Sequence, residues 1–488
     1  MTTTEIRTRF APSPTGYMHI GNLRTALYAY LFARANDGTF ILRIEDTDRN
    51  RYVADAVDFI RRTLDAAKIV PDEGPDEIGG DYGPYVQSER MAIYKEYAEQ
   101  LVASGHAYRC FCHHTEEAEP VEGEKTFGGY PRTCRELSPA EVEEHLARGE
   151  EYVIRQKMPL SGSTSFHDVV HGTITIDNAE LEDQVLIKRD GMPTYNFANV
   201  VDDHLMRITH IIRGTEFITS TPKHVLLYQA FGWEIPVYVH LSPVMGRNED
   251  GSTSKLSKRH GATSFSELIA MGYLPEAITN YVALLGWSPK SNQELFSMEE
   301  LIQAFSLEGL SKSPAVFDYA KLDWFNGEYF KKMTDFIFSK TARHFAGELT
   351  EDLDKKWLYA AGLLRPRISR YGEIPEQIAF FRALPEYDSE LFLNKRNKVT
   401  KELAEKVLTA AVTELEKIPD WTPYALDSTL EGIAANHQLK TGAVMWPLRI
   451  ALSGQKVTPG GVTELLYLLG GEESIKRLEK GLAKLKDL

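Results

Sequence analysis

Hydrophobic and polar positions in the first fifty residues switch between two periods. Ile6 to Phe10 is a short β-favouring run. It is closed by Pro12-Ser13-Pro14-Thr15-Gly16, through which neither a helix nor a strand can continue. From Leu23 an apolar stripe recurs at helical spacing through Leu27, Tyr30 and Leu31, and it stops near Asn36-Asp37-Gly38, a suitable helix C-cap. Residues 40–44 then read as a buried strand. Strand, crossover helix and strand predict the opening of a nucleotide-binding parallel sheet, with ligands beyond the C-terminal ends of the strands. A second β/α block runs from about Tyr152 to Val244, with strand-like residues 172–176, helix-like residues 222–231 and strand-like residues 237–240. Residues 107–149, rich in Glu, Gly and Cys, read as an insertion between the halves. Beyond about Ser264 the patterning is helical through to Leu488, broken at Trp421-Thr422-Pro423 and Thr458-Pro459-Gly460-Gly461. There is no internal repeat, low-complexity tract or heptad run.

At 488 residues the chain exceeds what one core organises, so three to five structural units are expected. No stretch approaches ~18 uninterrupted apolar residues, so no membrane span is expected. The polar run Met1 to Phe10 lacks an apolar signal core, and three cysteines suit a reducing compartment, so a cytoplasmic location is expected. A net charge of −15 argues on its face against a nucleic-acid partner. Phosphate binding depends on local patches, however, and basic clusters exist. They are Arg365, Arg367 and Arg370; Lys395, Arg396, Lys398 and Lys401; and a C-terminal run with Lys476, Arg477, Lys480, Lys484 and Lys486. Each alone reads first as a solvated helix face.

Two segments carry nucleotide chemistry. His19-Ile20-Gly21-Asn22 lies between the Pro-rich loop and the first helix, where free N–H groups and the helix dipole favour phosphate. A histidine there can donate to a phosphate oxygen, and glycine permits close approach. The second is Lys255-Leu256-Ser257-Lys258-Arg259, in a small, polar stretch with glycines at 251 and 261 that would let it move. Its cations can close over a triphosphate and stabilise charge growing on leaving pyrophosphate. Read alone, each is an ordinary turn or a solvated basic loop. No G-x-x-x-x-G-K-[ST] loop supports a P-loop NTPase, and no G-x-G-x-x-G follows the first strand to support a dinucleotide oxidoreductase.

Together these segments resemble the paired HIGH and KMSKS signatures of class I aminoacyl-tRNA synthetases, here HIGN and KLSKR. The resemblance narrows to the glutamyl-tRNA synthetases of bacterial type. It rests on RFAPSPTGYMHIGNLRTAL from Arg9, FILRIEDTDR from Phe40, GPYVQSER from Gly83 and DGMPTYNFANVVDDHLMRITHIIRGTEF from Asp190. STPKHVLLYQAFGW from Ser220, the Lys255 loop and VFDYAKLDWFNGEY from Val316 extend it over essentially the whole chain. It implies a Rossmann-like α/β catalytic domain with an inserted α+β acceptor-binding domain, followed by all-α stem-contact and anticodon-binding domains. The expected bounds are 1–106 and 188–245 for the two catalytic halves, 107–187 for the insertion, 246–330 for the KMSKS loop and stem-contact domain, and 331–488 for the anticodon-binding helices.

The resemblance implies an ATP-dependent glutamate–tRNA ligase, with Mg²⁺ accompanying ATP and with L-glutamate and tRNA-Glu as partners, acting as a monomer. His19, Gly21, Asn22, Lys255, Ser257, Lys258 and Arg259 are the expected ATP residues, with His19 and Lys258 stabilising the transition state. Glutamate needs a buried anion for its ammonium and guanidinium groups for its carboxylates. Glu45 is expected in the first role and Arg9 and Arg213 in the second; by similarity Ser13, Tyr195 and Asn199 complete the pocket, with Ala11 and Thr15 shaping the loop. His204, Glu216 and Phe217 are expected near the substrate or the tRNA terminus. Arg367 and Arg449 are the expected anticodon readers. Cys110, Cys112 and Cys134 lie in the insertion, where some members bind zinc; Tyr130, His113 or His114 could be the fourth ligand, and three ordinary thiols are the alternative. Two readings stay open beside the main one: an enzyme that also charges tRNA-Gln, and a degenerate synthetase that binds without chemistry. A glutaminyl enzyme is disfavoured, because Arg213 would face an amide.

Overall fold

The computed structural model describes residues 5–14, 18–47, 53, 55–112 and 130–488. The chain divides into two compact units, Met1–Leu268 with Ile278–Asp318, and Ile269–Ala277 with Tyr319–Leu488.

The first unit opens as the pattern predicts: β1 (Arg7–Phe10), α1 (Ile20–Ala35) and β2 (Thr39–Leu42), with β1 and β2 parallel and Arg9 opposite Ile41. Helix α1 begins three residues earlier than its apolar stripe, because His19 supplies an extended N-cap whose side chain accepts from the Gly21 N–H. Buried residues surround the helix on all sides, as expected of an element inside the core. It ends where Asp37 takes φ 50 and Gly38 passes so close to Ile6 that a Cβ would lie 2.2 Å from the Ile6 carbonyl oxygen. The second strand stops at Leu42 rather than continuing to Ile44 because the chain changes partner: Arg43 N–H still reaches Phe10 O, but Ile44 N–H donates to Tyr85 O.

There follow α2 (Ala56–Ala66), α3 (Met91–Ala103), β3 (Ala107–Cys110), α4 (Pro139–Ala147), β4 (Val153–Gln156), β5 (Ser163–Asp168), β6 (Gly172–Asp177), β7 (Val185–Ile187), α5 (Tyr195–Leu205), β8 (His210–Gly214), α6 (Thr221–Phe231), β9 (Val237–Leu241), β10 (Val244–Arg247), β11 (Thr253–Lys255) and β12 (Ala315–Val316). Strands β8 and β9 are parallel. The Thr209 N–H donates to Arg7 O at 3.0 Å and brings the start of β8 beside β1. The ends of β1, β2, β8 and β9 therefore share one edge, where a doubly wound sheet places its ligand. Strands β3, β4 and β7 form a separate antiparallel sheet, and β10 lies between β11 and β12 in a third. The hairpin β5–β6 lies inside the stretch expected to be insertion, yet β5 joins β9 in parallel through Asp168 opposite Tyr238. Its sequence shows only the alternation of a one-sided strand, which does not name the partner.

In the second unit the described residues from Tyr319 onward form helices joined by turns. The long ones are Tyr319–Lys332, Asp335–Ala346, Lys401–Leu415, Pro423–Asn436, Thr441–Ser453 and Gly471–Leu485. One apolar core runs through them, including Phe330, Phe338, Leu408, Leu430, Leu448 and Leu478. Arg477, in a run read as a solvated face, is 2% exposed; its guanidinium donates to the carbonyls of Phe380 and Leu452 and so staples three segments. No described helix is long and apolar enough to cross a membrane.

Asp202 on α5 is the buried anchor of the first unit. It accepts from Arg90 Nε at 2.7 Å, Tyr94 Oη at 2.8 Å and Gln87 Nε2 at 2.9 Å, tying α5 to the start of α3. Asp202→Ala strands the Arg90 cation in a dry interior, and a loss of about 3–5 kcal/mol is expected, read as a lower unfolding midpoint in urea.

Candidate active site

Two adjoining cavities open at the shared strand edge. The first is lined by Arg9, Phe10, Ala11, Pro12 and Ser13 at and after the end of β1, Asn22 and Thr25 from α1, Glu45 beyond β2, Tyr195 and Asn199 from α5, residues 212–214 at the end of β8, and Glu216 and Phe217 after it. The second is lined by His19, Gly21, Asn22, Arg24, Thr25, Gly214, Glu216, Leu241, Pro243, Val244, Lys255 and Leu256. Asn22, Thr25, Gly214 and Glu216 belong to both, so the two are one continuous site. Gly214 leaves room here for the Glu216 carboxylate, which lies 2.1 Å from where a Cβ would stand.

The first cavity is built on charge. Arg9 is 4% exposed and meets Asp203 through Nε at 3.0 Å and Nη2 at 3.2 Å. The guanidinium expected to face a ligand is thus already paired on two nitrogens, with Nη1 left over. Arg43 Nη1 donates to the same Asp203 at 2.8 Å and its Nη2 to Glu45 Oε1 at 3.0 Å. Asn199 Nδ2 also donates to Glu45 Oε1, and Glu45 Oε2 has no hydrogen-bond partner among the described residues. Burial raises the Glu45 carboxyl above its ordinary range, against the opposing pull of Arg43 and Arg9. Burial pushes the Tyr195 hydroxyl up to about 12, so it stays a neutral donor. Arg213, equally buried, donates to His240 Nε2, Thr221 Oγ1 and, at 3.4 Å, His224 Nδ1.

Helical geometry explains which α5 residues reach the cavity. Tyr195, Asn199 and Asp203 are spaced i, i+4, i+8 and share a face. His204 stands about 180° from Tyr195 at 3.6 residues per turn. Accordingly His204 lines neither cavity; its ring stacks on Trp233 with centroids 3.7 Å apart. Glu216 and Phe217 do line the site, and Phe217 stacks on Tyr195.

In the second cavity, the free N–H groups expected at the start of α1 are all engaged. Ile20 N–H donates to Thr263 O, Gly21 N–H to His19 Nδ1, and Asn22 and Leu23 N–H to His19 O, because the 263–264 segment bridges to His19. Side chains are left to grip a phosphate. Since His19 Nδ1 accepts, a neutral ring carries its proton on Nε2; burial and then Lys255 hold the imidazole below its ordinary pKa, with the Leu256 backbone opposing. Lys255 ends β11 at the cavity wall. Ser257, Lys258 and Arg259 do not line the cavity; Lys258 and Arg259 are exposed, Arg259 donates to Ser254, and Ser257 caps a 3₁₀ turn closed by His260. Thr15 lies outside the described residues.

Apart from this site, Cys110, Cys112 and Cys134 converge, their sulfurs all within 4.8 Å of one another. Tyr130 Oη donates to Cys110 Sγ at 3.0 Å, and Arg155 lies over the Tyr130 ring. Burial, with the neighbouring thiols, pushes Cys112 up to about 12. His113 and His114 lie outside the described residues. In the second unit, Arg367 is exposed, and the Arg449 pKa is lowered by burial and then by the Arg367 cation. The fold thus brings the two arginines near each other, and neither has a salt bridge among the described residues.

Sequence reading misses Arg43, Asp203, Arg24 and the Arg213 partners. A strand arginine within Phe40-Ile41-Leu42-Arg43-Ile44 and a pair of acids on an otherwise apolar helix are the available signals, since buried charges occur in pairs. Asp203 is 0% exposed; burial alone would raise its pKa, but Arg9 and Arg43 bring it below the ordinary value. A carboxyl with a depressed folded pKa adds stability that is full above its unfolded pKa of about 3.9 and lost as pH falls through the folded value. Asp203→Asn is therefore expected to destabilise the first unit at pH 7 and to flatten the acid limb of its stability–pH curve, measured by urea unfolding between pH 3 and 7.

A family profile described as "tRNA synthetases class I (E and Q), catalytic domain" matches residues 5–324, and one described as "Anticodon binding domain" matches residues 319–482. A curated glutamate–tRNA ligase of Clostridium novyi is 50% identical over 490 residues, spanning 100% of this chain and 99% of the relative. That of Clostridium acetobutylicum is 49% identical over 493 residues, covering 100% of both. Among solved structures, a glutamate tRNA ligase from Elizabethkingia meningosepticum, crystallised in complex with its amino acid, superposes with a TM-score of 0.84 at 36% identity, covering 99% of this chain and 100% of the other. The glutamate–tRNA synthetase of Elizabethkingia anophelis gives 0.85 at 35%, covering 98% and 100%. The chain belongs to the glutamate–tRNA ligase family of class I tRNA synthetases.

Proposed function

We propose that the chain activates L-glutamate with Mg²⁺–ATP and transfers the glutamyl group to the 3′-terminal adenosine of tRNA-Glu. The observation that carries this is the junction of two cavities, one lined by guanidinium groups and a buried carboxylate, the other by His19 and Lys255. In the first step an oxygen of the glutamate α-carboxylate attacks the α-phosphorus and the bond to pyrophosphate breaks. In the second a terminal ribose hydroxyl attacks the adenylate carbonyl and AMP leaves. Neither step needs an enzyme nucleophile, so the side chains act by positioning and by balancing charge.

Arg213, with the remaining Nη1 of Arg9, would take the substrate's side-chain carboxylate, and the unpartnered Glu45 Oε2 its ammonium. Asn199 holds Glu45 in place, while Tyr195, Ser13 and Ala11 shape the walls. His19 Nε2–H, the Asn22 amide and Lys255 suit the phosphates, with Gly21 giving close approach. Ser257, Lys258 and Arg259 would join them when their loop closes over the triphosphate. Mg²⁺ would be held mainly by phosphates and water. Arg367 and Arg449 would read the anticodon, residues 107–187 would grip the acceptor stem, and the enzyme would work as a cytoplasmic monomer.

The three-thiol cluster suits zinc: soft donors, close convergence and Tyr130 at hand as a fourth group. When bound, zinc would pin the turn that carries these residues and would take no part in the reaction. Metal analysis of the purified protein is expected to find about one zinc per chain, lost in Cys112→Ser.

The decisive assay is charging of purified tRNA-Glu and tRNA-Gln with glutamate. Charging of tRNA-Glu alone is expected. Equal charging of both would replace this reading with a non-discriminating enzyme, and absence of both charging and pyrophosphate exchange would overturn it.

A further inference from the structure

The three guanidinium groups around the amino-acid cavity differ in how their charge is balanced. Arg9 is met by Asp203, and Arg43 is shared by Asp203 and Glu45. Arg213 has no carboxylate at salt-bridge distance among the described residues. Its Nε donates to His240 Nε2 at 3.1 Å, its Nη2 to Thr221 Oγ1 at 2.8 Å, and its Nη1 approaches His224 Nδ1 at 3.4 Å. A buried cation among uncharged acceptors keeps its charge for an incoming anion.

Those contacts dictate two tautomers. A guanidinium cannot accept a hydrogen bond, so His240 Nε2 must present its lone pair and the ring proton must sit on Nδ1. That Nδ1–H donates to Asp168 Oδ2 at 2.7 Å. Asp168 is fully buried and fixed in turn: Oδ2 also accepts the His240 backbone N–H, and Oδ1 accepts the N–H groups of Val170 and His171. His224 has the opposite tautomer, with Nδ1 towards Arg213 and Nε2–H donating to Asn196 Oδ1 at 2.9 Å.

We propose that Asp168 and His240 are positioning residues for amino-acid selection: by fixing the neutral Nδ1–H imidazole against Arg213, they hold an uncompensated guanidinium at the cavity wall, where it takes the carboxylate of glutamate and rejects the amide of glutamine. The proposal rests on the function proposed above and deepens it. Burial holds the His240 ring below its ordinary pKa; the hydrogen bond to Asp168 pulls the other way, and Arg213 adds to the lowering. His224 is held well below its ordinary pKa by burial and by Arg213, so neither imidazole competes for the anion. A carboxylate placed directly on Arg213 would cancel the selecting charge. One imidazole between them transmits orientation without neutralising it, as a buried Asp does for a catalytic His.

The test compares His240→Gln, His240→Asn and Asp168→Asn by tRNA-dependent pyrophosphate exchange and by charging with glutamate and glutamine. The longer amide of His240→Gln can set its oxygen near the Nε2 position; the shorter one of His240→Asn falls short of it. Asp168→Asn offers an N–H where the imidazole needs an acceptor and turns the ring to the wrong tautomer. His240→Gln is expected to stay within about threefold of wild type in KM for glutamate, whereas His240→Asn and Asp168→Asn raise it about tenfold or more. In both impaired variants KM for ATP and kcat hold within about threefold and preference for glutamate over glutamine falls in step. Because Asp168 also caps the 170–171 turn, His240→Asn, which keeps that cap, decides the matter if Asp168→Asn does not fold. Unchanged glutamate KM in His240→Asn, or equal impairment of the two His240 variants, overturns the proposal while charging by the wild type upholds the parent reading. A wild-type protein that charges no tRNA with glutamate overturns both.

Discussion

Asp203 accepts hydrogen bonds from Arg9 at the end of β1 and from Arg43 just past β2, with no exposed surface of its own. Two cations and one anion in a dry interior leave an excess positive charge, and Glu45 supplies the balance through Arg43. The arrangement costs a great deal of desolvation, which hydrophobic residues of the same size would avoid. What it gains is position. One carboxylate shared by two strand-end arginines ties the edge of the sheet to α5 through directional hydrogen bonds. The remaining features of the amino-acid cavity inherit that precision: the free oxygen of Glu45, the third nitrogen of Arg9, and Tyr195 one turn before Asn199.

The nucleotide half of the site is held differently. The start of α1 spends its own N–H groups on Thr263 and on His19, so the free polar groups at that wall are side chains. Lys255 stands at the wall, while Lys258 and Arg259 remain outside in a turn closed by His260. One half of the site is thus built on buried, hydrogen-bonded charges, and beside the other lies an exposed basic turn closed by His260.

Local pattern makes part of this legible. The shift from a strand period to a helix period in the first forty residues predicts β1, α1 and β2 to within a few positions, because tertiary contacts there reinforce local preference. His19 stands out by its place after the first strand. Glu45 and Arg213, by contrast, become legible through resemblance, since a single charged residue in a strand-like run has no local signature. Asp203 escapes notice because acids on helices are ordinarily solvated; its i+8 spacing from Tyr195 is the clue that pattern holds. Arg477 misleads in the other direction: a basic run on a terminal helix conceals a cation buried among carbonyls. The β5–β6 hairpin is read two ways, since the pattern puts residues 172–176 in the second β/α block and the resemblance puts them in the insertion; strand alternation does not name the partner, which comes about seventy residues later.

That hairpin bears on how such proteins can diversify. Residues between β3 and β7 look like a cassette hung on the catalytic sheet, and a cassette invites exchange between lineages. Here it carries Asp168 into the sheet beside β9, where its carboxylate meets His240. A chimera that swapped the whole stretch would therefore import a foreign neighbour for the amino-acid cavity along with a new surface. Drift in the hairpin is thereby tethered, through Asp168 and His240, to the cavity wall that carries Arg213.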